Sequence, residues 1–178
     1  MINLNHDYYQ ENKNVRIRPL LRKDLESLRK WRNDKSNTTF LRTIPYITKE
    51  MQINWYDGYL LKNDELIFAI EEIDSFHKIV GSLSLYDIKE DECVFGKILI
   101  GDVEKRGQGI GRLAIEAAVD VAVNQLGISR ILLYVYKDNR IALNLYKKVG
   151  FEVLEEHPDI DGKIEYTMEY QNTDKISF

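Results

Sequence analysis

At 178 residues, 44% hydrophobic and 30% charged, the chain has the size and apolar content of one soluble domain with a sizeable core. A formal net charge of −4 opposes binding to a phosphate backbone, and a single cysteine, Cys93, excludes an internal disulfide or a cysteine-based zinc site of ordinary spacing. No run of about 18 apolar residues is available to span a membrane and no signal-peptide pattern opens the chain, so the expectation is a cytoplasmic protein with no nucleic-acid or membrane partner.

In chain order, residues 1–14 read as a polar lead-in to a single domain covering 1–178. "VRIRPL" at 15–20 is strand-like, and "RKDLESLRKWRND" sets Leu25, Leu28 and Trp31 at helical spacing. Thr48 is placed to cap a second helix with Met51, Trp55 and Tyr59 on its apolar face. The period then shortens: "ELIFAIEE", "KIVGSLSLYD" and "ECVFGKILIG" predict an antiparallel meander. After it, Ile110, Leu113, Ala114, Ala117, Ala118 and Val121 recur as one face of a helix that Gly127 closes. "RILLYVY", the short helix "NRIALNLYKKVG", "FEVLEEH" and "KIEYTMEYQ" complete the order β-α-α-β-β-β-α-β-α-β-β, a mixed sheet with helices on its faces.

Between the meander and the long helix lies Arg106-Gly107-Gln108-Gly109-Ile110-Gly111-Arg112. Amides at a helix start lack internal partners and the helix dipole adds positive charge there, so glycines in front of a helix, flanked by arginines, describe an anion site. A Walker-type loop would need Gly-Lys followed by Ser or Thr, and the dinucleotide fingerprint would need glycine at Arg112; neither is met. Taken alone, the loop also reads as a turn that redirects the chain.

The loop fits the pattern R/Q-x-x-G-x-G/A, and downstream "DNRIALNLYKKVGF" fits N-x-x-A-x-x-L-Y-x-x-x-G-F. Together, in this order, the two resemble the GNAT superfamily of acetyl-CoA-dependent N-acetyltransferases, over a core from about residue 66 to 151. The resemblance implies an α/β (α+β mixed) GNAT-like fold, with a central, mostly antiparallel sheet of about seven strands and about four helices. It also implies acetyl-CoA as cosubstrate, with no metal. Carried over by position, the backbone from Arg106 through Gly107, Gln108, Gly109, Ile110 and Gly111 to Arg112 would hold the pyrophosphate. Leu99, Ile100 and Gly101 would pair with the pantetheine arm, Asn139 would contact that arm, and Tyr146 would protonate the departing thiolate. As a residue alone, Tyr146 also reads as a core aromatic.

The chain departs from the family at the general base. Many relatives carry a glutamate two residues before the glycine equivalent to Gly96, where Val94 stands here. Glu92, two residues earlier and on the same strand face, is the candidate base, with a solvated turn charge as its other reading. A weak base suits an amine of low pKa: deprotonation at pH 7 costs about 1.4 kcal/mol near pKa 8 but roughly 4 to 5 kcal/mol near 10.4.

The acceptor is a small-molecule or peptide amine, and Trp31, Arg32, Asn33 and Trp55 are the candidates to bind it, joined by Arg42 for a diphosphate. This W-R-N element resembles acetyltransferases of ribosomal-protein N-termini and of nucleotide-linked amino sugars. The tryptophans equally suit the core and Arg32 an exposed helix face. A polyamine acceptor, a non-catalytic acetyl-CoA sensor, and a homodimer through the C-terminal strands stay open. A Ser-His-Asp hydrolase is opposed by the scattered His6, His77 and His157 and the lack of a G-x-S-x-G elbow.

Overall fold

Val15 and Ile17, both fully buried, set the alternation of the first expected strand, yet it is the second in the molecule. The computed structural model, which describes residues 6–37 and 45–171, places β1 (Gln10–Asn12) antiparallel to β2 (Val15–Pro19). The stretch expected as a lead-in thus contributes a strand. Its Gln-Glu-Asn sequence has no apolar alternation to betray it. The ladder holds it, together with Asn12 Nδ2, which donates to Glu116 Oε2 (2.9 Å) and Leu113 O (3.3 Å).

The remaining elements follow the expected order: α1 (Leu25–Asn33), α2 (Lys49–Tyr59), β3 (Leu66–Glu72), β4 (Lys78–Tyr86), β5 (Glu92–Ile100), α3 (Ile110–Asp120), β6 (Arg130–Tyr136), α4 (Arg140–Val149), β7 (Glu152–Pro158) and β8 (Ile164–Gln171). They build one eight-stranded sheet in the order β1-β2-β3-β4-β5-β6-β8-β7. All neighbours are antiparallel except β5 and β6. A larger apolar cluster joins Phe68, Leu83, Leu85 and Phe95 to α3 and α4; a smaller one joins Ile67 and Ala69 to Leu25, Leu28, Tyr56 and Tyr59 of α1 and α2. Among the described residues, no helix is long and apolar enough to cross a membrane.

Thr48 caps α2 as expected, its side chain accepting from Met51 N, but the buried face is Gln52, Tyr56 and Tyr59, and Met51 is exposed. The tyrosine hydroxyls decide the rotation. Tyr56 Oη donates to Leu20 O (3.1 Å) and Tyr59 Oη accepts from Ile67 N (3.1 Å), so each ring is buried with its polar end satisfied.

Two irregularities in β5 position the site. Its parallel pairing with β6 covers only Glu92–Val94 against Arg130–Leu132, although both strands run on, so the sheet opens from Phe95 onward. On its other edge the register with β4 slips between Ser82 (opposite Leu99) and Ser84 (opposite Gly96), with Lys97 at φ 52°, which is a β-bulge.

Candidate active site

The glycine loop ends in two residues with left-handed backbone, Gly107 (φ 74°) and Gly109 (φ 82°), the second being the N-cap of α3. A Cβ at either would meet nothing within 4 Å, so the glycines are there for conformation and an open approach. Leu113 N, bonding to Gly109 O at 3.1 Å, is the first amide to close the helix; those before it have no helical partner. Ile110, 2% exposed, anchors the helix start in the core. Arg106 Nε donates to Ile100 O (3.0 Å), and its Nη2 donates to Asn37 Oδ1. Gln108 Nε2 donates to Glu104 O (2.6 Å).

Tyr146, on α4, lies edge-on to Phe95 with ring centroids 6.1 Å apart, at the residue where β5 leaves β6. Burial, with the neighbouring Tyr86 adding to it, pushes its hydroxyl up to about 12, so the proton stays on Oη throughout the physiological range. Asn139 caps α4, with Oδ1 accepting from Ala142 N (3.2 Å), which leaves its NH2 group for a ligand.

On the α1/α2 side, a cavity of about 280 Å³ reaches the bulge and the end of β5. Leu28, Ile67, Leu83, Ile98 and Leu99 give it apolar walls; Arg32, Trp55, Lys97, Ser82 and Ser84 supply the polar atoms, and among the described residues no carboxylate lines it. Arg32 sits half-buried over the Trp55 ring, 5.9 Å from its centroid, with no hydrogen-bond or ion-pair partner among the described residues. Burial lowers its pKa, a sign of a guanidinium short of solvation. Lys97 is held by the buried Glu65, which also pairs with Lys62.

A family model described as an acetyltransferase (GNAT) domain matches residues 14–152. The chain belongs to the GNAT acetyltransferase family. It is similar to acetyltransferase PseH of Campylobacter jejuni, 25% identical over 136 residues, 76% of this chain and 82% of that protein. It is also similar to the spermidine N(1)-acetyltransferase of Vibrio cholerae, 26% identical over 140 residues, 79% and 80% of the two chains. Among solved structures, the Vibrio cholerae spermidine N-acetyltransferase in complex with CoA and spermine shares the fold, with a TM-score of 0.82 at 22% identity over 93% of this chain and all of that one.

As a GNAT N-acetyltransferase the protein is an acyltransferase that uses acetyl-CoA. The loop suits that donor, since two left-handed glycines in front of a free helix start form a cradle open to an anion.

Several site expectations need correction. Glu92 starts β5, at the end opposite Leu99; seven residues at about 3.3 Å each put it roughly 23 Å away along the strand. There Lys89 above all, joined by Arg130 (2.5 Å), outweighs the opposing effect of burial and holds its carboxyl below the usual range, which is unsuitable for a base. Gly101 N is already bonded to Val80 O (2.9 Å) and so is not free for pantetheine, while Ile100 O accepts from Arg106 Nε (3.0 Å) with one lone pair to spare. The Arg112 side chain turns along α3 to Glu116 (2.7 Å). Asn33 clamps the chain before α2, accepting from Ile47 N (2.8 Å) and donating to Ile47 O (2.9 Å).

Trp31 lies on Gly101, where a Cβ would run into its ring, so this acceptor candidate rests against the end of β5. Arg32 and Trp55 do meet, in the cavity; Arg42 lies outside the described residues. Sequence reasoning missed Lys97, Ser82 and Ser84. A bulge on lysine carries no glycine or proline signal, and the serines sit within an ordinary strand alternation.

Proposed function

We propose that this acetyltransferase moves the acetyl group of acetyl-CoA by direct attack of a low-pKa primary amine carried on an anionic acceptor, such as an amino sugar bearing phosphate or nucleotide. The half-buried Arg32 guanidinium, with no ion-pair partner and no carboxylate lining its apolar cavity among the described residues, carries this reading. An unneutralised cation in such a place is costly, and an anionic group on the acceptor relieves it. A polycation would meet the Arg32 charge instead.

When bound, acetyl-CoA supplies the thioester. The amides of residues 107–112 and the Arg106 guanidinium would hold its pyrophosphate, the unpaired edge of β5 its pantetheine arm, and Asn139 Nδ2 would also contact that arm. Tyr146 Oη donates to the sulfur as the C–S bond breaks and passes it a proton, so that CoA leaves as the thiol; the proton lost by the attacking nitrogen goes to solvent, from which Tyr146 is reprotonated. No carboxylate base is needed for an amine with pKa near 8, whose neutral fraction at pH 7 is roughly one in ten.

A spermidine acceptor is the second reading, favoured by the spermidine-acetylating relatives. Thiol release from acetyl-CoA with UDP-glucosamine, glucosamine 6-phosphate, an N-terminal peptide and spermidine separates the two. Turnover concentrated on the phosphorylated amines, abolished by Arg32→Gln, is expected; turnover on spermidine alone refutes the proposal. A homodimer at the free edge of β7 and a cytoplasmic site of action belong to the same reading. Sedimentation velocity checks the assembly, a relative being described as dodecameric.

A further inference from the structure

Ser84 is fully buried in the middle of β4, and its Oγ has no hydrogen-bond partner among the described residues. Buried hydroxyls are nearly always paired, so an orphan of this kind calls for a ligand or a function. It lies opposite Gly96, next to the bulged Lys97, and lines the same cavity as Arg32 and Leu99.

The nucleophile defines what is needed there. A neutral primary amine offers two N–H donors and one lone pair, and its attack is directed only if an N–H is held by an acceptor. Of the polar side chains that line the cavity among the described residues, Arg32, Lys97 and the Trp55 indole only donate; the hydroxyls of Ser82 and Ser84 can accept. Ser84 Oγ is the one enclosed without a partner.

We infer that Ser84 is the acceptor-positioning residue. Its Oγ receives one N–H of the neutral amine and aims the nitrogen lone pair at the opening between β5 and β6, while Arg32 holds the anionic part. A hydroxyl suits this role because it stays uncharged, so it does not favour the ammonium form as a carboxylate would, and it acts without taking the proton. The inference rests on the reading of the cavity as the acceptor site.

The test compares Ser84→Ala and Ser84→Cys with wild type by thermal unfolding without substrates. Initial rates are then measured on whichever of UDP-glucosamine, glucosamine 6-phosphate and spermidine wild type acetylates best. Removing an unpaired hydroxyl should raise Tm by about 2–4 °C in Ser84→Ala. The same variant should lower kcat/KM for the amine about 10-fold, with KM for acetyl-CoA changed by less than about twofold. Cysteine, similar in size but a weak acceptor, should lose activity equally.

A fall in Tm on alanine substitution would reveal a structural partner for the hydroxyl and overturn the inference. So would full activity in Ser84→Ala, or full activity in Ser84→Cys alone, which would make volume the relevant property. Preference of wild type for spermidine would sink the anionic-acceptor reading without touching the Ser84 comparison, which would then be read from spermidine rates.

Discussion

Replacing Gly109 with alanine separates a donor cradle from a simple turn. Gly109 has φ 82° and ψ −2°, and the added Cβ would meet nothing within 4 Å, so no clash contributes. The cost is conformational: about 1–2 kcal/mol for an L-residue in the left-handed region, partly offset by the stiffer unfolded chain. A net destabilisation of about 1 kcal/mol lowers Tm by about 2–4 °C in a chain of this size. Gly58→Ala is the internal control: it also has open space around its Cβ, but it sits in α2, where alanine is favoured, so Tm should rise. Donor binding should respond differently. An added Cβ stands in open space at the N-cap of α3, and if the loop cradles the donor, each charge-assisted hydrogen bond that is lost there is worth about 1.5 kcal/mol or more, so acetyl-CoA affinity should drop at least about 10-fold. Isothermal titration calorimetry with acetyl-CoA reads this directly. If Gly109→Ala shows the expected fall in stability but binds acetyl-CoA within about twofold of wild type, the loop is only a turn and not a donor cradle.

Tyr146→Phe should lower kcat roughly 10- to 100-fold when chemistry limits the rate, with unchanged acetyl-CoA affinity in calorimetry, because a single hydrogen bond to a charged atom is removed while the ring packing stays. Glu92→Gln should leave turnover at every pH essentially intact, and disappearance of the acid limb from its pH–rate profile would restore it as the base. Glu71→Gln should destabilise by about 3 kcal/mol in denaturant unfolding, since its buried carboxylate pairs with both Arg16 and Arg18 at 2.6 Å. Burial raises the Glu71 pKa but the two arginines outweigh it and leave it lowered. The carboxylate therefore contributes fully above the ordinary glutamate value near 4.5, and that contribution is lost as pH falls through the depressed folded value; wild type and Glu71→Gln should converge in stability in that acid range.

Sequence signals were strongest where backbone chemistry needs a particular residue. The glycine loop in front of α3, the Thr48 cap and the apolar spacing of α3 could all be read, because few other residues do those jobs. Strand β1 could not, since Gln10–Asn12 is held by a ladder and by Asn12 reaching α3, both long-range. Glu92 was misplaced for a related reason: alternation tells which face of a strand a residue occupies, not which end of the strand meets the site. Arg32 showed as a charge on a helix, but its lack of a partner is a property of everything around it. Ser84 looked like an ordinary strand serine for the same reason.

The chain has two tryptophans, and the proposed function divides them between the substrates. Trp31 is pressed onto Gly101 just after β5, and Trp55 lies under Arg32 in the cavity beside α1 and α2. The enzyme thus carries its own pair of optical reporters. Emission of Trp31 in Trp55→Phe should follow acetyl-CoA, and the difference from wild type should follow the amine, so the order of binding can be recorded without any label.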